Sequence, residues 1–111
     1  MATEHGLKYD EGKLRFDLLL PEFTEQMARV MTLGAKKYAE NSWQNVTNGN
    51  KRYLAALHRH LNAWQQGERL DIESGCSHMA HIAINAMFLA WLESNNAPCA
   101  MSDDLFGGNY E

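Results

Sequence analysis

The sequence predicts an all-α fold: a small helical bundle of three main helices with an extended N-terminal arm, completed by oligomerisation. Three observations carry this expectation. Apolar residues recur at helical spacing in two segments, 21–38 and 50–66, each bounded by helix-start and helix-stop residues. A third segment, 77–93, is apolar almost all the way round, the pattern of a buried helix. The chain has 111 residues, enough for one domain and a modest core, but few with which to surround such a helix. A symmetric partner copy is the simplest cover for it.

The elements follow in order. Residues 1–20 mix charges without sustained periodicity and read as an arm ending in Leu18, Leu19 and Leu20. Residues 21–93 form the helical core domain, and residues 94–111, with Pro98 and a Gly107-Gly108 pair, form a tail that either docks through Leu105 and Phe106 or stays mobile. Pro21 suits a first helical turn, where its missing N–H costs nothing. Phe23, Met27, Val30, Met31, Gly34 and Tyr38 then fall on one stripe, with Glu22 and Glu25 early and Lys36 and Lys37 late, as the helix dipole favours. Gly34 on that stripe predicts close approach of a backbone or ligand. An Asn-rich loop containing Trp43 precedes a second helix, capped by Asn50 and stopped by Gly67. Its core stripe is Tyr53, Leu54, Leu57, Leu61 and Trp64, flanked by His58 and His60, while Arg52, Arg59 and Asn62 face away. The third helix starts near Ser77 after an acidic connection.

Charge narrows the function. Fourteen acidic residues against ten basic ones give a net charge of −4, which disfavours binding to a nucleic acid polymer. Residues 1–10 are polar and lack a signal-peptide pattern, and no apolar run is long enough to span a bilayer, so a cytoplasmic protein is expected. Cys76 and Cys99 form no Cys-x-x-Cys pair, which argues against a structural zinc ribbon. The string from Lys8 to Lys13 lacks a P-loop pattern, and no His-Asp doublet marks an HD-type phosphohydrolase.

The chemistry concentrates on the third helix. His78, His81 and Asn85 fall within roughly a 60° arc of it at about 100° per residue. An unpaired buried polar group costs about 1–3 kcal/mol, so each requires a hydrogen-bond or metal partner. Glu68, Asp71 and Glu73 lie in the connection just before this helix and can fold back over its N-terminal end. Carboxylates suit hard divalent cations, and imidazole extends the choice to Mn, Fe or Zn. The metal candidates are therefore Glu68, Asp71, Glu73, His78 and His81. His60 on the second helix can join them, and His60, His78, His81 and Glu73 are the candidate catalytic groups. The plainer alternative makes these residues core histidines and a solvated acidic loop. Lys13, Arg15, Lys36, Lys37 and Arg59 are candidate partners for phosphates, each also an ordinary surface charge. Tyr38 or Trp43 can stack a base, and Asn85 can contact the substrate.

These residues also carry a resemblance. Lys8-Tyr9-Asp10, Gly12-Lys13, Arg15, Asp17-Leu18-Leu19 and Pro21 form its first part. Thr32 to Tyr38, Asn41-Ser42-Trp43, Arg59-His60, Ala63-Trp64 and Gly67-Glu68 continue it. Asp71 to Gly75, His78 to His81 and Asn85-Ala86 close it. From about residue 8 to 92 the chain resembles the small phage-type dATP/dGTP diphosphohydrolase-like proteins, grouped with the MazG-like all-α NTP pyrophosphatases. The resemblance implies an oligomeric helical bundle in the host cytoplasm. It implies hydrolysis of a (deoxy)nucleoside triphosphate to monophosphate and pyrophosphate, with Mg²⁺ or Mn²⁺. MazG-like proteins cluster glutamates on one helix and place Glu or Asp on the next, whereas here the third helix offers histidines and Asn85, so that carboxylate geometry does not carry over. Other classes compatible with the residues are a non-catalytic helical oligomer that sequesters a nucleotide, and a helical interaction module whose polar row sets oligomer register.

Overall fold

A computed structural model of the chain describes Tyr9 and residues 11–96. The described residues are all-helical, with three helices and no strands: α1 Pro21–Lys37, α2 Gly49–Gln65 and α3 His78–Asn96. Single 3-10 turns occur at Phe16–Leu18 and Ser42–Asn45. Leu105 and Phe106, expected to dock the tail, lie outside the described residues. The arm, up to Leu19, is a unit apart from the helical unit that begins at Leu20. Its leucine end is not fully extended, because the turn at Phe16–Leu18 is closed by Leu18 and Leu19 N–H bonds to the Arg15 and Phe16 carbonyls. Among the described residues no helix is long and apolar enough to cross a membrane.

Local signals place most boundaries. Pro21 opens α1. Ser77 caps α3, its hydroxyl accepting the Met79 N–H at 3.0 Å. Gly67, at φ +103°, ends α2 in a Schellman motif: its N–H donates to the Trp64 carbonyl and that of Glu68 to the Ala63 carbonyl. The α2 start differs from expectation. Asn50 is not the cap; Asn48 stands there in the left-handed region, with no side-chain bond, and the helix begins at Gly49. Packing sets that position. A Cβ on the buried Gly49 would lie 3.1 Å from the Tyr53 ring and 3.4 Å from Leu92, so a larger residue there would make the Tyr53 ring give by a few tenths of an ångström.

Helices α2 and α3 pack antiparallel: Gly49 meets Leu92, Tyr53 meets Phe88, and His60 meets His78 and His81. The inward line of α2 is therefore Gly49, Tyr53, Ala56, Leu57, His60 and Leu61. Leu54 and Trp64, assigned to the core stripe from the sequence, are 47% and 46% exposed. The helix is rotated so that His60, not Trp64, faces α3. Helix α1 packs on α3 with no fully buried residue, and Tyr38 is exposed. Gly34 has open space where its Cβ would stand, so no backbone among the described residues approaches it. On α3, Ala80 and Ile84 are buried, yet Ala86, Met87 and Ala90 are exposed.

Candidate functional site

The site forms where α2 ends, the acidic connection turns, and α3 begins. The connection is a closed loop, not a loose strand of charges. An isolated antiparallel bridge joins Leu70 to Ser77. The Asp71 N–H donates to the Cys76 carbonyl, the Gly75 N–H to the Asp71 carbonyl, and the His78 N–H to the Arg69 carbonyl. Gly75 turns the chain at φ +74°, a left-handed value that favours glycine. The Asp71 carboxylate accepts the Ser74 N–H at 2.8 Å, a local side-chain-to-backbone bond that fixes its direction. This folding brings the acidic residues back over the N-terminal end of α3.

There His60, Asp71 and His78 offer ligand atoms that all lie within 4.8 Å of one another. The two Nδ1 atoms of His60 and His78 face each other at 2.9 Å. Asp71 Oδ1 lies 4.0 Å from His60 Nδ1. His78 is 2% exposed, and its other nitrogen, Nε2, lies 3.2 Å from Glu68 Oε1. A carboxylate only accepts, so that nitrogen carries the proton and Nδ1 presents its lone pair to the centre. A carboxylate behind the distal nitrogen of a metal-binding imidazole is the usual orienting arrangement. Glu68 therefore stands behind His78, not beside it. Two nitrogens bound to one tetrahedral cation, each at about 2.0–2.1 Å, stand about 3.3 Å apart, so the facing pair would open by a few tenths of an ångström around a shared ion.

His81 forms a second layer. Its ring stacks on His60, with centroids 4.2 Å apart and planes within 7°. Its Nε2 lies 2.7 Å from Ser74 Oγ and 3.8 Å from Asp71 Oδ2. The Ser74 hydroxyl also accepts the Cys76 N–H at 3.1 Å. Burial lowers the pKa of His60, and the neighbouring His81 charge adds to this, against the opposing pull of Asp71. Burial likewise lowers His81, again opposed by Asp71. For Asp71, burial works upward but is outweighed by the Ser74 N–H and hydroxyl and by the two imidazoles, so its pKa lies below the ordinary value. A neutral His60 imidazole and an ionised Asp71 carboxylate are the forms that bind a cation.

Of the remaining expected residues, those of the helical unit lie outside the cluster, and Lys13 and Arg15 belong to the other unit. Glu73 is exposed and pairs with Lys37 Nζ at 2.9 Å, on the outer side of the loop. Arg15 is held by Asp17 through two bonds of 2.9 and 2.8 Å, within the arm. Lys13, Lys36 and Arg59 are exposed. Tyr38 lies under the Lys37 ammonium, 5.2 Å from its ring centre. Trp43 is a packing residue: its ring stacks on Phe88 at 4.4 Å and meets the edge of Trp91 at 5.1 Å, and its carbonyl accepts the Tyr53 hydroxyl. Asn85 is buried and donates to the His81 carbonyl at 2.9 Å, one turn beyond the cluster. Ser74 had no assigned role in the sequence reading.

A Salmonella phage PMBT28 protein described as "dATP/dGTP diphosphohydrolase" is 40% identical over 99 residues, covering 89% of this chain. The chain spans only 32% of that relative's length. No solved structure matches the chain. The sequence pattern of the family "dATP/dGTP diphosphohydrolase, N-terminal" matches residues 3–101. That match covers most of the sequence, including every residue of the His60, Asp71 and His78 cluster, and the chain belongs to that family.

Proposed function

We propose that this chain is the metal-binding part of a nucleotide diphosphohydrolase. Its substrate class is purine deoxynucleoside triphosphate, dATP and dGTP by the relative's description, and its products are monophosphate and pyrophosphate. The observation that carries the reading is the grouping of His60, His78 and Asp71, whose ligand atoms lie within 4.8 Å of one another. His60, His78 and Asp71 hold the cation, and Glu68 orients His78 from behind. A divalent ion bound there supplies Lewis-acid polarisation of the phosphate oxygens and lowers the pKa of a coordinated water. The nitrogen-rich donor set favours Mn²⁺ over Mg²⁺, which prefers oxygen.

His81 is suited to receive the proton of an attacking water. Its pKa is depressed below about 6.5, so it is neutral at pH 7, and Ser74 and Asp71 fix its ring beside the cluster. Lys36 and Arg59 are solvent-accessible cations for the phosphate chain. Lys37 serves the same end only on release from Glu73. The exposed Leu54, Trp64 and Met87 support a homo-oligomer in which a second copy covers the open faces of α2 and α3.

The test is incubation of the chain with each of the four deoxynucleoside triphosphates and Mn²⁺ or Mg²⁺. Monophosphate and pyrophosphate from dATP and dGTP are expected, and both disappear in His78→Ala. Production no greater than that of His78→Ala refutes the reading. Light scattering after size exclusion tests the oligomer, and a monomer mass at micromolar concentration refutes it.

A further inference from the structure

A groove of about 520 Å³ runs between α1 and the loop that carries the cluster, lined by Glu25, Gln26, Ala28, Arg29, Thr32 and Leu33 on one side and by Ser74, Gly75 and Cys76 on the other. We infer that this groove seats the nucleoside portion of the substrate, with Gln26 reading the base edge. The inference rests on the hydrolase reading above and adds the location of base and sugar.

Four observations point to it. The groove adjoins the cluster, because its wall residue Ser74 bonds both His81 and Asp71. A substrate whose phosphates lie at the cation therefore enters the groove with its other end. The volume falls in the ordinary range for small-molecule sites, about 300–1,000 Å³. The stretch from residue 25 to 33 rises about 12 Å along the helix, the length of a nucleoside with its first phosphate.

Charge decides which end of the nucleotide fits. Glu25 and Arg29 pair with each other at 2.8 Å, so the groove lining is close to neutral. A triphosphate gains nothing there, whereas an uncharged base and sugar lose nothing. The Thr32 hydroxyl is engaged by the Ala28 carbonyl at 2.7 Å. Of the polar α1 side chains in the lining, this leaves the half-buried Gln26 amide without a partner among the described residues. An amide presents one donor side and one acceptor side, and a half-turn exchanges them. The Watson–Crick edges of adenine and guanine place donor and acceptor in opposite order, so one glutamine serves both. Ala28, Leu33 and the Thr32 methyl supply apolar contact for the ring face.

The test uses the full chain and two variants. Ala28→Trp fills the groove from an exposed helix position, and Gln26→Ala removes the amide. Two-dimensional NMR with millimolar 2′-deoxyadenosine, which has no phosphate and needs no metal, is expected to shift the resonances of residues 26, 28, 33 and 76, and these shifts vanish in Ala28→Trp. With Mn²⁺ present, Ala28→Trp is expected to raise KM for dATP and dGTP at least tenfold, and Gln26→Ala about fivefold. Binding of inorganic tripolyphosphate stays within twofold in both. Absence of nucleoside shifts at these positions overturns the inference, as does an unchanged nucleotide KM in Ala28→Trp. A parallel loss of tripolyphosphate binding also overturns it, since the variant would then act on the cluster. If the unaltered chain hydrolyses no nucleotide, the hydrolase reading fails, and the nucleoside shifts still decide the groove.

Discussion

Glu68→Gln isolates the orienting carboxylate from the metal ligands. In the structure the His78 Nε2–H donates to Glu68 Oε1 at 3.2 Å, and His78 is 2% exposed. Glutamine keeps an acceptor at the same place but loses the charge. A hydrogen bond to a charged group contributes about 1.5–3 kcal/mol and a neutral one about 0.5–1.5, so the change removes about 1 kcal/mol. The Glu68 side chain is 33% exposed, which keeps the figure at the low end of that difference. Converted at about 1.4 kcal/mol per tenfold, the loss corresponds to about fivefold weaker cation binding, just below the 10–100-fold range for such partners. The fold should survive, because the imidazole proton retains an acceptor. Glu68→Ala differs: it strands a buried N–H, and stability falls by about 1–3 kcal/mol. The assay is titration of the chelator-treated protein with Co²⁺, followed by its visible absorption, with circular dichroism as the folding control. A Glu68→Gln protein that binds Co²⁺ as tightly as the unaltered chain refutes the assignment of Glu68 as the group orienting His78.

Other outcomes follow from the same geometry. Glu73→Ala breaks an exposed pair with Lys37, so denaturant unfolding should shift by less than about 1 kcal/mol and Co²⁺ affinity should stay within twofold; a tenfold affinity loss would bring Glu73 into the metal shell. Trp43→Ala removes a ring packed on Phe88 and Trp91 and should cost about 3 kcal/mol, whereas Trp43→Phe discards a buried, unpartnered N–H and keeps a ring, at a cost of about 1 kcal/mol or less. Equal losses in thermal melts of the two variants would contradict this. His60 and His81 titrate below their ordinary value of about 6.5 when folded, chiefly through burial, so the folded state binds fewer protons than the unfolded one just beneath that pH. Their contribution is full above pH 6.5 and declines as pH falls through the folded-state values; Asp71, held below 3.8, adds a further loss in stronger acid. Melting temperature in the presence of chelator should drop between pH 7 and 5, and a flat or rising profile would contradict the burial of these rings. Gly75→Ala forces a side chain into a left-handed backbone at about 1–2 kcal/mol and should loosen the loop that aims Asp71, seen as weaker Co²⁺ binding.

Much of this protein is determined by local signals that act over one or two turns. Pro21, Ser77 and Gly67 mark helix ends because proline geometry, a capping hydroxyl and a left-handed glycine work through adjacent backbone groups alone. The histidine row of α3 is equally local, since spacing along one helix fixes which residues share a face. The acidic connection beside it was legible for the same reason: it immediately precedes the helix. His60 was visible only as a flanking residue, because its role depends on the rotation of α2 about its own axis.

Only the tertiary structure decided which polar groups meet. The approach of Gly49 to Leu92 and of Tyr53 to Phe88 sets the rotation and register of α2 against α3, and that register brings His60 to His78 across eighteen positions of sequence. The loop closure between Leu70 and Ser77 then sorts the three carboxylates: Asp71 inward, Glu68 behind His78, and Glu73 outward to Lys37. Sequence order places these three acids together without distinguishing them, because the direction of a side chain in a turn depends on hydrogen bonds that close across the loop. Trp43 shows the same limit. An aromatic residue in a loop reads as free to stack a base, and only its position against Phe88 and Trp91 reveals that its face is occupied. The sequence thus determined the helices and the chemical composition of the site, and the packing of α2 on α3 determined its geometry.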